Sequence, residues 1–235
     1  MQVEETKAGP AARIAIAEED AVCDRLGALY VSAYRLLVVS DLHLEKGSSF
    51  ARRGSMLPPY DTLATLRRLE EAVARYDPRA VISLGDSFHD PFGAERLPEP
   101  MRAKIAAMAA GRDWFWVAGN HDPHPPRDLP GETVEEIAIG RLRFRHHPSS
   151  GASVGEVAGH LHPGARIVRR GRSVRRACFA SDGARMVMPA FGAFTGKLNV
   201  LDKAFHGLFC SEGFRAHVLG AERVYSIARP QLAPG

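Results

Sequence analysis

Leu36-Leu-Val-Val-Ser-Asp-Leu-His43 sets an unbroken apolar run against a carboxylate and an imidazole. Three further segments repeat that plan: Ala80-Val-Ile-Ser-Leu-Gly-Asp-Ser-Phe-His-Asp90, Phe115-Trp-Val-Ala-Gly-Asn-His-Asp122 and Val154-Gly-Glu-Val-Ala-Gly-His-Leu-His162. Each run has the length and composition of a buried strand, so its polar residues fall at the strand's C-terminal end. In open α/β sheets that is where ligands bind. Carboxylate, imidazole and amide oxygen together suit borderline or hard divalent cations such as Mn, Fe or Zn. The four segments predict a centre for two metal ions.

Working outward, residues 1 to about 12 read as a flexible tail and 13–235 as one domain. Gly27 to Ala33 and Arg35 to Ser40 form a hairpin whose second strand delivers Asp41. Pro58-Pro59 opens a helix from Tyr60 to about Tyr76, with Leu63, Leu66, Leu69 and Val73 at helical spacing. Arg79 to Leu84 is a strand, Pro98 to Ala110 a helix ended by Gly111, and Asp113 to Ala118 a third strand. This βαβαβ stretch favours parallel strands. Beyond residue 130, short β-like runs at 133–139, 141–146, 153–158, 165–170 and 173–180 are separated by Gly, Ser and Pro. They predict a mainly antiparallel second sheet, joined by terminal strands near 214–218 and 223–228.

The chain has 235 residues, 45% of them hydrophobic and 25% charged, which is ordinary for a globular protein with a sizeable core. No stretch approaches the roughly 18 unbroken apolar residues of a membrane span. The acidic, polar start, Met1-Gln-Val-Glu-Glu-Thr-Lys, is unlike a secretory signal. Cys23, Cys178 and Cys210 are odd in number and form no C-x-x-C pair, which predicts packing residues in a reducing cytoplasm. Net charge is +4, and six arginines (166, 169, 170, 172, 175, 176) fall within eleven residues that hold no acid. That segment is either a solvated hairpin around Gly171 or a rim that attracts phosphate, with Arg169 and Arg170 as its candidate contacts. Lys46 is either one half of a surface pair with Glu45 or a further phosphate contact.

Eight of the ten histidines lie between positions 43 and 162, as expected if they share one site. Asp41 and His43 are two apart, as are His160 and His162, so on regular strands each pair shares a face. Asp86 follows Gly85, whose missing Cβ lets the backbone turn sharply. A carboxylate in that place can bridge two cations. Asn120 offers a neutral oxygen ligand, which limits negative charge where an anion must bind. His89 and Asp90 suit either a turn facing solvent or a place behind the ligands, and His124 reads as a loop residue. Trp114 and Trp116 read as core. Phe191 and Phe194 sit in a Gly-rich stretch that is either core or a base-stacking border of the site.

Asp-x-His, Gly-Asp-x-x-x-Asp, Gly-Asn-His-Asp and Gly-His-x-His, in this order, resemble the calcineurin-like metallophosphoesterase superfamily over at least residues 36–163. Further segments narrow the resemblance. Ser40-Asp-Leu-His-Leu-Glu-Lys-Gly, Leu57-Pro-Pro-Tyr-Asp-Thr, Leu84-Gly-Asp-Ser-Phe-His-Asp, Gly159-His-Leu-His-Pro and Pro189-Ala-Phe-Gly-Ala-Phe-Thr-Gly are similar to the ligase-associated DNA damage response endonuclease (PdeM) family, from about residue 25 onward. The resemblance implies a four-layer α/β/β/α sandwich with two mixed sheets. It implies one metal on Asp41, His43, Asp86 and His162, and the other on Asp86, Asn120, His146 and His160. Arg145-His146-His147-Pro148 offers two histidines where the family has His, an acid and Pro: His146 matches the ligand, and a slip of register would make it His147. The family's general acid corresponds to His121, with Asp122 orienting its ring.

The resemblance further implies hydrolysis of phosphodiesters in nucleic acid, through a water activated between the metals. Mn is favoured, and Fe and Zn fit the same ligands. DNA is the implied substrate, and an ATP-dependent DNA ligase, a helicase and an exonuclease are the implied partners. A phosphoesterase for nucleotides or cyclic nucleotides, and a non-catalytic scaffold for repair proteins, are the competing readings. The second is disfavoured because every expected ligand and His121 are present.

Overall fold

The structure is a computed structural model and describes residues 11–55, 60–123 and 128–235. Its first sheet holds β1 (Ala11–Ile16), β2 (Glu19–Asp24), β3 (Leu29–Val31), β4 (Leu36–Val39), β5 (Ala80–Leu84), β6 (Asp113–Val117) and β7 (Glu132–Val134), side by side in chain order. β1 to β4 run antiparallel, and β4 to β7 are parallel. Four helices follow β4 and β5: α1 (Lys46–Arg52), α2 (Asp61–Tyr76), α3 (Gly93–Arg96) and α4 (Glu99–Ala109). α2 matches its expected span, while Pro58-Pro59 lies outside the described residues.

The second sheet holds β8 (Glu136–Ile139), β9 (Leu142–Arg145), β10 (Glu156–Ala158), β11 (Pro163–Arg169), β12 (Arg172–Ser181), β13 (Met186–Val187), β14 (Leu198–Asn199), β15 (Arg215–Leu219) and β16 (Val224–Ala228). Pairs β9–β10, β10–β13 and β11–β14 are parallel and the others antiparallel, so this sheet is mixed.

Strand alternation decides the layers. Leu37 and Val39 of β4, with Val81, Trp114 and Trp116, pack on Leu66, Leu69, Ala72 and Val73 of α2 and Ile105 and Met108 of α4. Leu36, Val38, Ile82, Leu84 and Val117 turn the other way, onto Leu142, Phe144, Val157 and Phe179 of the second sheet. The far face of that sheet is covered by Val200, Phe205, Leu208 and Phe214, around the short 3-10 turn Lys203–Phe205. The result is two mixed sheets face to face, helices on one outer side and a thin outer layer on the other. Trp114 and Trp116 are core, and so are Cys23 and Cys178, while Cys210 is exposed. No helix among the described residues is long and apolar enough to cross a membrane.

Several local expectations needed correction. Residues 1–10 of the expected tail lie outside the described residues, but Ala11 and Ala12 already pair with Asp24 and Cys23. The β1–β2 hairpin carries no turn signal in its sequence, because its turn is Ala17-Glu18, both with positive φ (49° and 69°). A two-residue turn of that kind ordinarily announces itself with Asn or Gly. The run 133–139 is two strands in different sheets, since the chain leaves the first sheet after Val134 and enters the second at Glu136. Only the adjacent Glu135-Glu136 breaks the apolar alternation at the crossing, and such a pair suits a bend within one strand as well as a change of sheet.

Candidate metal centre and active site

The ends of the delivering strands meet along one edge of the sandwich. Asp41 lies just past β4, Asp86 past β5 and Asn120 past β6; His146 follows β9, His160 lies past β10, and His162 directly precedes β11. Asn120 Oδ1 is 3.0 Å from His146 Nε2, which is 3.4 Å from Asp86 Oδ1. His162 Nε2 is 3.1 Å from Asp41 Oδ1 and 3.4 Å from His43 Nε2, itself 4.0 Å from Asp86 Oδ2. The His160 ring lies 5.1 Å from that of His146, and its backbone N–H donates to Asp41 Oδ2 at 3.1 Å. All seven expected ligands are therefore neighbours, and both sheets contribute.

The local backbone achieves this differently from the expected alternation. Asp41 (φ 52°), His43 (44°), Asp86 (46°), His160 (67°) and His162 (45°) all adopt left-handed conformations beyond the regular strands. Each such residue costs on the order of 1–3 kcal/mol, and such strain concentrates at functional sites. Bonds between the two strand extensions hold it in place: Asp41 N–H to Gly85 O (3.2 Å), His43 N–H to Asp86 O (2.9 Å) and Leu44 N–H to Ser87 O (2.9 Å). Gly85 has φ +73°, and a Cβ there would fall inside the His146 ring. A Cβ on Gly119 would overlap the backbone nitrogen and carboxylate of Asp86. Both glycines are needed for close approach, and Gly85 for its left-handed turn as well.

Burial and mutual charge tune the groups. Burial alone would raise the Asp41 carboxyl, but His162, His146 and the Ser40 hydroxyl outweigh it and hold it below its ordinary range. Asp86 is likewise held low, by His146 and by the His121 N–H that donates to it at 2.9 Å, despite its burial. Burial pushes His43 down to about 3 and His160 to about 4, so both are neutral, with lone pairs to give, at neutral pH. His146 shifts upward despite its burial, through Asp86 and Asp41.

This set fits divalent cations. Asp41 Oδ1 is buried and faces the ring nitrogens His162 Nε2 (3.1 Å) and His146 Nδ1 (3.9 Å), but in neither case with the alignment of a hydrogen bond. Buried polar atoms are rarely left so. His43 and His162 point ring nitrogens at each other, and groups of three ligand atoms, such as Asp41, Asp86 and His146, lie within 4.8 Å of one another. Ionised carboxylates, neutral imidazoles and an amide oxygen form an acceptor-rich pocket that a cation satisfies.

Around this pocket the expected roles fall unevenly. His146 is buried between Asp41, Asp86 and Asn120, whereas His147 is exposed, its ring tilted at 42° to that of His160 with centroids 4.0 Å apart. His121 Nε2 lies 3.9 Å from Asp86 Oδ2, with its side chain 42% exposed. Asp122 does not orient the His121 ring. Its Oδ2 accepts from Phe88 N–H at 3.0 Å, and burial, with Asp86 nearby, pushes its carboxyl up to about 7. The partner of His121 Nδ1 is instead the carbonyl of His89, at 2.9 Å. A main-chain acceptor of this kind leaves no signature in sequence. The His89 ring also joins the cluster, 3.5 Å from His43 Nδ1. Asp90 is taken up by Arg96 through two bonds of 2.6 and 3.0 Å. Lys46 Nζ donates to Phe194 O at 2.9 Å. Arg169 and Arg170 stand at the tip of the β11–β12 hairpin, seven and eight residues beyond His162. At a strand rise of about 3.4 Å that is at most roughly 24 Å along the strand, which places them at the hairpin tip and not among the groups around the ligands. His124 lies outside the described residues.

Residues 34–175 match the model of the calcineurin-like phosphoesterases. The chain belongs to the calcineurin-like phosphoesterase family. Among solved structures it is similar to the nuclease MPE of Pseudomonas putida, at 26% identity and a TM-score of 0.69, over 92% of this chain and 100% of that one. Yfce, a phosphoesterase from Escherichia coli, matches at 16% identity and a TM-score of 0.43, over 82% of this chain and 98% of that one. No curated protein sequence matches the chain. The family is one of metal-dependent hydrolases, and the clustered His and Asp side chains could bind its divalent metals.

Proposed function

We propose that this chain hydrolyses phosphodiesters in nucleic acid with two divalent cations, and that it acts in DNA repair beside an ATP-dependent DNA ligase, a helicase and an exonuclease. The observation that carries the reading is the meeting of Asp41, His43, Asp86, Asn120, His146, His160 and His162 at facing strand ends, in a chain of this family. The likeness to the Pseudomonas putida nuclease supports nucleic acid as the substrate. The repair partners follow from the resemblance to the ligase-associated family.

Asp41, His43, Asp86 and His162 would hold one cation, and Asp86, Asn120, His146 and His160 the other. Manganese suits the mixed oxygen and imidazole set, as do iron and zinc. When bound, the pair supplies positive charge to the phosphoryl oxygens and an attacking water of lowered pKa. The chain's own residues do the rest. The His89 carbonyl can only accept, so His121 Nδ1 carries a proton, and the ring is fixed with Nε2 toward the centre. Protonated there, Nε2 donates to the leaving alkoxide as general acid. Asp122 braces the turn at Phe88 that positions Asp86.

The test is hydrolysis of a bis-aryl phosphodiester and of DNA by metal-stripped protein, with and without manganese, beside Asp86→Asn. Turnover that requires metal and falls by at least about 10³-fold in the variant is expected, as for a group on which transition-state charge stabilisation depends. A folded protein inert on both substrates with every divalent metal would refute the reading.

A further inference from the structure

A cavity of about 460 Å³ opens beside the metal centre and shares His162 with it. Arg25, Arg68, Arg176, Lys197 and Phe194 also line it, and no carboxylate among the described residues does. Arg25 is engaged with Glu71 at 3.1 Å. Arg68, one turn past Thr65 on α2, is not so engaged. Its guanidinium lies 4.4 Å from the Phe191 ring centroid, and its Nε is buried with no hydrogen-bond partner among the described residues. Burial pulls its pKa down, with no carboxylate to counter the effect. A guanidinium placed this way without a counter-charge is costly, and stacking on Phe191 recovers only part of that. Arg176 sits at the base of the β11–β12 hairpin, opposite Ala165, in contrast to the distant tip arginines.

Phe194 supplies a second, independent observation. Its ring is 56% exposed, unlike the fully buried Phe191, and its backbone is left-handed at φ 58°, a conformation rare for an aromatic residue. The Lys46 ammonium fastens its carbonyl. The fold thus holds an aromatic face in solvent at the wall of a cationic cavity, next to the metal centre. Such a pairing of basic groove and exposed ring is how single strands are bound without sequence preference.

We propose that this cavity is a subsite for the nucleotide adjoining the scissile phosphodiester, with Arg68, Arg176 and Lys197 taking its phosphate and Phe194 stacking on its base. The proposal deepens the phosphodiesterase reading above and rests on it. The test measures binding of fluorescein-labelled oligothymidylate and oligouridylate to metal-stripped protein in chelator, for wild type, Arg176→Gln/Lys197→Gln and Phe194→Leu. Arg176, Lys197 and Phe194 are exposed, so the fold is not at stake. The double variant should bind both strands at least tenfold more weakly. Its salt dependence should flatten by about 0.7 in log–log slope, the value for one lost single-strand phosphate contact. Phe194→Leu should weaken binding severalfold with the slope kept. Equal affinity and slope in the double variant and wild type overturn the proposal, as does a wild type that binds neither strand. Bis-aryl hydrolysis by the wild type, measured separately with manganese restored, separates the two readings: its absence counts against the phosphodiesterase, whereas strand binding sensitive to the variants upholds the subsite.

Discussion

His121 is half in solvent and tethered by a main-chain oxygen, which makes its chemistry testable apart from metal binding. His121→Ala should slow hydrolysis of an alkyl-leaving phosphodiester by about 10²–10⁴-fold, the usual worth of a general acid. An aryl leaving group departs without a proton and should lose far less, so the ratio of the two rates is the measurement. Equal losses would deny the group its proton-donating role. At this scale the sequence named the residues better than their partners. His162 could be picked out because an imidazole ended an apolar run, and His146 through the family resemblance alone. The contact between the His89 carbonyl and His121 could not, because any residue supplies a carbonyl. The five left-handed residues were equally hidden, since Asp and His carry no turn signal as strong as glycine's.

Among the elements, the long strand β12 is the hinge of the second sheet, pairing β11 at one end and β13 and β15 at the other. Where it meets β15, His217 is buried beside Phe179, its Nδ1 2.7 Å from Ser226 Oγ of β16. Burial, with Arg215 nearby, lowers its pKa to about 4. Above pH 6.5 neither folded nor unfolded chain protonates this ring. As pH falls from 6.5 toward 4 the unfolded chain takes up the proton first, so stability is lost across that window, by on the order of 3 kcal/mol. Urea titrations of wild type and His217→Gln at intervals across that range should show a shallower loss in the variant. Parallel curves would remove His217 as the cause. Long elements were legible because periodicity accumulates over them, as in α2. Two-residue strands such as β13 and β14 offer no period to read, and pairing alone defines them.

For the molecule as a whole, the candidate ligands come from both sheets, so ions bound there would tie one sheet to the other. Metal removal should therefore lower the melting temperature, in steps that follow the concentration of added manganese. Saturation at about 100 times Kd corresponds to about 2.7 kcal/mol per site. Calorimetry on stripped and reloaded protein makes the check, and superimposable transitions would show that the ions add nothing to the fold. The two-sheet plan was legible because the chain changes character near residue 130, from βαβ alternation to short strands. The point of crossing was not, because the Glu135-Glu136 pair that marks it suits a bend within one strand as well as a change of sheet.

That crossing divides the chain with unusual economy. Among the described residues, every strand before Glu135 belongs to the first sheet, and that part brings Asp41, His43, Asp86 and Asn120; every strand after it belongs to the second, and that part brings His146, His160 and His162. Neither half carries a complete ligand set, and each would present the bare apolar face that now lies between the sheets. Cut at Glu135 and expressed together, the two pieces should behave as an ion-dependent split protein. They would co-purify and turn over substrate in manganese and come apart in chelator. Pieces that stay together in chelator would mean that the apolar face alone is glue enough.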